Sequence, residues 1–440
     1  MFARSFSALL LAMVATALHA QEMPSLADPS ATGMPDADGR SERQSGPALT
    51  LDDILGLAMQ ANPALRGAQA NAAATDGALM QAGALPNPQV SLLQEGFGGL
   101  ERTTTALVSQ VIELGGKRSA RLDVASYGKE AALAELGGRA ADLQARVTDA
   151  FFGLLAARRQ FQVANESERI AARFAELAEK RVWAGKASPV DATKAKAAAS
   201  SAQIELANAK TRVSMAVEKL ATLTGSDLVR ARDIAGDLQA LAPVEPLSGL
   251  LARLDDAPLT RMARAEMLRA DAAISVERAK RVPDITVSAG MKHVVTGGVS
   301  GNQAVVGVSI PLPLFDSNKG AILEATHKAE KAEADFDGEK ATLKLALTQA
   351  YADYSSAAQE AQRLKNNVLP AAREALDAVS RGYELGKFSF LDVMDAQRTF
   401  FQEESRYVQS LNDAQVAHAE LGRLVGARLP SGSFPTTERY

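Results

Sequence analysis

The apolar residues of this chain recur in alternating steps of three and four over two long segments, the heptad pattern of packed helices. A third run, from about 118 to 182, has similar spacing and predicts a helix of about 65 residues, which would be about 100 Å long if continuous. The pattern predicts long helices packed side by side. The contact positions are Ala192, Ala195, Ala199, Ala202, Leu206, Ala209, Val213, Ala216, Leu220 and Leu223 in the first segment, and Val393, Ala396, Phe400, Tyr407, Ala414, Ala417, Leu421 and Leu424 in the second.

A period of two marks four shorter segments. Apolar residues alternate with small or polar ones over 285–292 and 303–310, and weaker equivalents lie at 89–95 and 103–112. Such alternation over about ten residues is typical of a membrane strand, with lipid on one face and water on the other. It is equally compatible with hairpins packed on a soluble core. If the strands cross a membrane, several chains must share one closed sheet, because an open edge in lipid leaves backbone groups unpaired.

The chain contains an internal duplication. Residues 184–191 (AGKASPVD) match 385–392 (LGKFSFLD), and the same offset of about 200 residues relates 220–225 to 421–426. We therefore predict two repeats, 48–245 and 246–430, followed by a tail at 431–440. Each repeat contains a helix, two strands, a very long helix, a tight turn and a returning helix. In the first repeat Thr50 is placed to cap the opening helix, which Pro63 interrupts.

The first residues are typical of a secretory signal. Arg4 precedes a short apolar stretch from Phe6 to Leu18, and small residues allow cleavage after Ala17 or Ala20. A buried N-terminal helix is the alternative interpretation. We predict a signal peptide at 1–20 and a flexible leader at 21–47, which is rich in Pro, Gly, Ser and Asp. The chain has no cysteine, so disulfides and a lipid-anchoring cysteine are excluded and the protein is not expected to be a lipoprotein.

Composition narrows the possible chemistry. Hydrophobic residues make up 47% of the chain and aromatic residues only 5%, with alanine dominant, which suits closely packed helices. The net charge of −4 argues against nucleic-acid binding. The histidines of the mature chain, His293, His327 and His418, show no paired spacing, and no nucleophile stands near a base at a recognisable spacing. We therefore predict no catalytic residue, no metal site and no cofactor.

Two junction motifs lie where a strand gives way to a long helix: 110–118 (QVIELGGKR) and 310–320 (IPLPLFDSNKG). Gly115 and Gly116 allow the backbone to leave a strand and enter a helix. Pro311 and Pro313 end strand pairing, and Asp316 is placed to cap the helix that begins near Asn318. Together with the duplicated order of elements, the motifs resemble the TolC family of bacterial outer-membrane efflux proteins. Within that family they are similar to the CzcC-like branch, the outer-membrane component of cobalt-zinc-cadmium cation exporters.

This resemblance implies a mostly α-helical fold with a membrane β-barrel portion. In a homotrimer, each chain would give four strands to a twelve-stranded barrel in outer-membrane lipid and its helices to a tube across the periplasm. The tube would meet a periplasmic adaptor and a proton-driven inner-membrane pump of the RND type, and would serve as a passive exit duct for heavy-metal cations. Drug efflux or protein secretion through the same fold is the first alternative, and a periplasmic coiled-coil scaffold without a pore is the second.

The resemblance also places the turns at Gly185 and Gly386 at the periplasmic entrance of the duct. Three acids follow these turns, and a ring of carboxylates there would attract cations. The alternative is that the first two of them only cap or charge-complement the returning helices. Tyr383 and Lys387 are candidate bonding partners at the gate. The family's usual basic gate residue is replaced here by Phe388. The entrance candidates are Asp191, Asp392, Asp395, Tyr383 and Lys387.

Overall fold

The computed structural model describes residues 47–97, 99 and 101–426. The predicted signal peptide, nearly all of the predicted leader and the predicted C-terminal tail lie outside these residues. The elements of the first half are α1 (Leu51–Ala61), α2 (Pro63–Gly83), β1 (Gln89–Glu95), β2 (Glu101–Ile112), α3 (Lys117–Trp183), α4 (Pro189–Thr224) and the short α5 (Leu228–Ala231). Those of the second half are α6 (Leu247–Arg253), α7 (Pro258–Lys280), β3 (Ile285–Thr296), β4 (Val299–Ser309), α8 (Lys319–Arg363), α9 (Leu369–Glu384) and α10 (Phe390–Val425).

The predicted order of helix, two strands, long helix, turn and returning helix occurs twice. The opening helix is divided at Asn62, whose side chain accepts hydrogen bonds from the N–H groups of Ala64 (3.0 Å) and Leu65 (3.3 Å), as expected where Pro63 starts a new helix. In the second half the long helix is interrupted once, by a π-helical turn at Leu364–Val368 just before Pro370. Proline lacks an N–H and crowds the preceding turn, so a widened turn is a physical response to it.

The heptad positions form the contacts between helices. Ala195, Ala209, Leu220 and Leu223 of α4 are buried, and the other predicted positions of that helix are half-buried. A core cluster joins α1, α3 and α4, with Val147, Phe151 and Leu154 at its centre. Small residues at most of these positions allow the helix backbones to approach closely. The same helix α3 also packs against α10, so it lies between elements of both repeats.

The four strands form one antiparallel sheet in the order β1-β2-β3-β4. The β2–β3 pair joins the two repeats, and β1 and β4 are the edges. The register places the apolar residues on one face: Val90 lies opposite Val108, Val108 opposite Ala289, and Ala289 opposite Val306. All four side chains are exposed. The predicted alternation in β3 and β4 is therefore a real difference between the two faces of the sheet. Among the described residues, no helix has the length and apolar character needed to cross a membrane.

The junctions between strand and long helix have the backbone that the sequence predicts at Gly115 (φ 71°) and Gly116 (φ 74°), both left-handed. Pairing of β4 ends at Ser309, before Pro311 and Pro313. The sequence predicts Asp316 as the cap of α8, and the structure corrects this. Asn318 is the cap residue, with a left-handed φ of 56°, and Asp316 Oδ1 instead accepts a 2.8 Å hydrogen bond from its N–H. The Asn318 carbonyl accepts the first helical hydrogen bond, from the Ile322 N–H at 3.1 Å, so the aspartate closes only the turn that precedes the helix.

Candidate functional site

The two helical hairpins end in the same turn. In the first, the Gly185 N–H donates to the Val182 carbonyl (2.9 Å) and the next N–H donates to Arg181 (2.8 Å). In the second, the Gly386 N–H donates to the Tyr383 carbonyl (2.9 Å) and the next N–H donates to the Gly382 carbonyl (2.8 Å). Both glycines have left-handed φ, so each helix ends in a Schellman motif. The sequence match between the turns thus reflects a shared backbone geometry.

The acids that follow the turns have different surroundings. Asp392 forms a capping box with Ser389: its carboxylate accepts from the Ser389 N–H at 2.9 Å, and the Ser389 hydroxyl accepts from the Asp392 N–H at 3.3 Å. The hydrogen bonds from the Ser389 hydroxyl and N–H lower the pKa of Asp392. Asp392 therefore caps its helix, as the alternative interpretation of the sequence predicts. In α4 it is Ser188 that caps the helix, and Asp191 lies in the first turn, where the helix dipole favours a negative charge.

Tyr383 is buried at the end of α9. Its ring lies edge-on to Phe174 (5.9 Å between centroids) and tilted to Phe390 (6.1 Å). The Arg181 guanidinium lies 4.5 Å from the ring centroid and donates a 2.6 Å hydrogen bond to the Tyr383 carbonyl. The hydroxyl of Tyr383 has no hydrogen-bond partner among the described residues. Burial raises the pKa of this hydroxyl, and the negative charge of Asp191 adds to the effect.

The structure therefore joins Tyr383 to Arg181, a residue that the sequence did not single out, and the charge of Asp191 acts on the same tyrosine. Arg181 aligns with Gly382 of the second repeat, and this difference between the repeats was the signal available in the sequence. The Phe388 ring packs directly over Gly382, where a β-carbon would collide with it. The arginine of one repeat and the glycine–phenylalanine contact of the other thus occupy matching places at the two turns.

The two remaining entrance candidates lie at the surface. Asp395 is exposed on α10 and is 3.4 Å from Arg398. Lys387 is exposed, and its side chain forms no ion pair with any described residue. No cluster of three or more His, Asp or Glu side chains able to hold a metal ion occurs in the described part of the chain.

Further bonds join α3 to the α9–α10 hairpin away from the turns. Arg173 pairs with Glu384 (2.7 Å), and Arg373 with Glu166 (3.4 Å). Two further bonds involve buried side chains of α10. The Gln397 amide donates to the Ser167 carbonyl (3.1 Å), and Arg159 pairs with Glu404, whose side chain is only 9% exposed. The second hairpin is therefore tied to the first repeat by side-chain bonds at several levels.

The chain is similar to known proteins over most of its length. The family model of outer membrane efflux proteins matches residues 54–226 and 252–427. The chain is 40% identical over 385 residues to the cobalt-zinc-cadmium resistance protein CzcC of Cupriavidus metallidurans, covering 87% of this chain and 91% of that one. It is 30% identical over 287 residues to the nickel-cobalt-cadmium resistance protein NccC of Alcaligenes xylosoxydans xylosoxydans, covering 64% of each chain.

Among solved structures, the fold matches a crystal structure of CusC with a TM-score of 0.75 at 18% identity, over 86% of this chain and 92% of that chain. Because the match covers most of both chains, it supports the fold as a whole. On the family match and these relatives together, the chain belongs to the outer membrane efflux protein family.

Proposed function

We propose that this protein is the exit duct of a tripartite efflux system for heavy-metal cations, with a periplasmic adaptor and an inner-membrane pump as its partners. Its likeness to a cobalt-zinc-cadmium resistance protein over nearly the whole length of both chains is the observation that carries the proposal. As a member of the outer membrane efflux family, the chain is a channel component of the outer membrane and not an enzyme. The energy for export would come from the pump.

The sheet supports assembly as a homotrimer in outer-membrane lipid. Its outer strands β1 and β4 each have one unpaired edge within the chain, and its apolar face is exposed. An unpaired edge in lipid costs several kcal/mol for each unsatisfied backbone group, and closure removes that cost. Three copies would pool twelve strands, enough to enclose a lumen, whereas four strands are too few.

The hairpin turns would form the periplasmic entrance. Threefold symmetry would repeat the exposed carboxylate of Asp395 around it, and such a ring raises the local concentration of cations. Asp392 adds charge while it caps its helix. The buried Tyr383, with the half-buried Asp191 and Arg181, would hold the second hairpin against the first, and Lys387 would lie at the surface nearby. Opening would require the contact between Arg181 and Tyr383 to break.

The test is metal tolerance in a bacterium that lacks the gene, over zinc, cadmium, cobalt, nickel, copper and silver, with detergents and drugs in parallel. We expect sensitivity to metal cations only, restored by the intact gene. Lost drug resistance or lost protein export with unchanged metal tolerance would agree with a channel but would refute the proposal that its cargo is heavy-metal cations. Complementation with Asp395→Asn tests the entrance, and Asp413→Asn, an exposed acid further along α10, is its control.

A further inference from the structure

The first strand–helix junction is closed by residues that precede β3 in the second repeat. The Asp284 carboxylate accepts a 3.1 Å hydrogen bond from the Leu114 N–H and a 2.7 Å bond from the Lys117 ammonium. The Val282 side chain packs so closely over Gly115 that an added β-carbon there would lie 2.6 Å from its own. Burial opposes ionisation of Asp284, but the bonds to Lys117 and Leu114 outweigh it and lower its pKa. We call these five residues the first clasp.

The second junction has a matching lysine and a matching loop, but among the described residues they lack the partners that close the first junction. Its cap residue is tied to its own repeat, because the Asn318 side-chain amide donates to the carbonyl and the carboxylate of Glu277, each at 2.8 Å. Asn318 takes the place of Gly116, since both are left-handed cap residues followed by a lysine at the start of a long helix. Lys319, the counterpart of Lys117, is exposed and forms no ion pair with any described residue. The loop before it exposes three large apolar side chains, Leu312, Leu314 and Phe315, the last of them completely.

The counterpart of Val282 and Asp284 lies before β1, at Leu85 and Asn87, each separated by one proline. Leu85 is 68% exposed, whereas Val282, which covers a junction, is 39% exposed. Asn87 is also exposed. The segment is held in position from the other side, because the Gln110 amide donates a 2.8 Å hydrogen bond to the carbonyl between them, that of Pro86. An exposed surface therefore lies beside each edge strand of the sheet: residues 85–87 beside β1 and the loop 310–319 beside β4.

The order of strand pairing indicates which segment would cover these two surfaces. Within the chain, antiparallel pairing of β2 with β3 puts the first junction beside 282–284. The strand that follows β4 in the same pattern must be a β1, and the chain's own β1 lies at the opposite edge of the sheet. A β1 from a second copy, paired antiparallel with β4, would put the second junction beside 85–87 of that copy. The internal duplication is therefore a template for the contact between copies.

We propose that the loop 310–319 of one copy docks on residues 85–87 of the next copy and forms a second clasp between subunits. Leu314 and Phe315 cover Leu85, and the Lys319 ammonium donates to the side-chain oxygen of Asn87. The contact is heterologous, with different surfaces on the two partners, and such contacts close into a ring when the rotation allows it. The proposal rests on the homotrimer proposed above and names the residues that join its subunits.

The two clasps differ in chemistry. The first contains a lysine–aspartate ion pair, whereas the second pairs a lysine with a neutral amide and relies mainly on apolar side chains. Apolar contact does not weaken with ionic strength, while exposed charge pairs are screened by salt. Assembly through the second clasp is therefore expected to withstand salt and to depend on the size of the side chains at 314 and 315.

Cysteine pairs test the contact, because the natural chain has no cysteine. The variant with Leu85→Cys and Leu314→Cys, oxidised in detergent, should give covalent dimers and trimers on a non-reducing gel. Each single variant should remain monomeric on the gel, since the proposed heterologous contact joins different residues of the two partners. The control pair combines Leu314→Cys with Leu385→Cys, which is 72% exposed at a hairpin turn and should not crosslink.

Native mass measurement of the same samples separates the possible failures. Trimers in which the 85–314 pair crosslinks no better than the control would overturn the second clasp and leave the proposed homotrimer intact. Monomers without crosslinks would overturn both. The membrane surface is the rival occupant of the loop, tested with Phe315→Trp in a Trp183→Phe background, since Trp183 is the only tryptophan. Strong quenching by brominated lipids would assign the loop to lipid and reject the clasp, and unquenched emission supports it.

Discussion

Gly115 and Gly116 have nearly the same backbone but different surroundings, so their substitution separates crowding from backbone strain. Their φ values are 71° and 74°. A β-carbon added at Gly115 would lie 2.6 Å from the Val282 β-carbon, 2.8 Å from a methyl carbon of Val282 and 3.1 Å from the Ala279 carbonyl oxygen. At Gly116 the only close neighbour would be the Ser119 hydroxyl at 3.3 Å, a flexible group at the surface. We therefore predict unequal costs for the same change to alanine.

The left-handed conformation costs an alanine about 1–2 kcal/mol at either position. Forcing a methyl group into a packed site adds about 1–3 kcal/mol, and this applies to Gly115 alone. The expected loss in free energy of unfolding is thus about 2–5 kcal/mol for Gly115→Ala and about 1–2 kcal/mol for Gly116→Ala. Gly116→Asn should cost less than Gly116→Ala, since asparagine adopts this conformation more readily and Asn318 does so at the second junction.

The assay is denaturant unfolding of the purified protein in detergent, followed by far-UV circular dichroism, with the three variants and the natural chain measured in the same detergent. The order of stability should be the natural chain, then Gly116→Asn, Gly116→Ala and Gly115→Ala. Equal destabilisation by the two alanine variants would refute the argument that Val282 closes over Gly115. It would also remove the steric part of the first clasp.

Three further outcomes are expected. Ser389→Ala should destabilise the second hairpin by about 1 kcal/mol through loss of the capping box, measured by thermal unfolding against Ser201→Ala, a mid-helix serine. Arg159→Ala should cost about 1–3 kcal/mol, because it leaves the buried Glu404 carboxylate without its partner, and Glu404→Gln in the same background should restore part of the loss. The pKa of Asp284 is lowered in the folded state, so its contribution is complete above the unfolded carboxyl pKa of about 3.9 and is lost as the pH falls through the lower, folded value. Stability measured down that acidic range should fall less for Asp284→Asn.

The sequence predicted the elements well wherever the signal was local. The heptad spacing and the glycine turn gave α3 to within a residue at each end, since both depend on residues adjacent in the chain. The strand alternation gave the exposed apolar face, but only the register could show that Val108 and Ala289 share it. Sequence alone left the choice between a membrane sheet and a soluble one open, because both produce the same alternation.

Contacts between the repeats were beyond local reasoning. Arg181 stacks on Tyr383, which is about 200 residues away, and a lone arginine near the end of a long helix gives no indication of that partner. The prediction for Asp316 was wrong for a local reason, since the left-handed backbone of Asn318 is unusual for a residue with a side chain. Comparing the two repeats position by position is the step that would have singled out Arg181, because Gly382 stands in its place.

The ion pairs between α3 and the second hairpin differ in what their loss costs. The Arg173–Glu384 pair near the turns is exposed, so its loss costs little. Glu404 is deep in the contact with α3, and separation from Arg159 would leave a buried charge. The π-helical turn at Leu364–Val368 packs against Tyr407 and Val408, close to that pair along α10. Once the Arg181–Tyr383 contact is broken, the exposed Arg173–Glu384 pair adds little resistance, and displacement of the hairpin should end near Glu404, where an irregular helix meets the most costly ion pair.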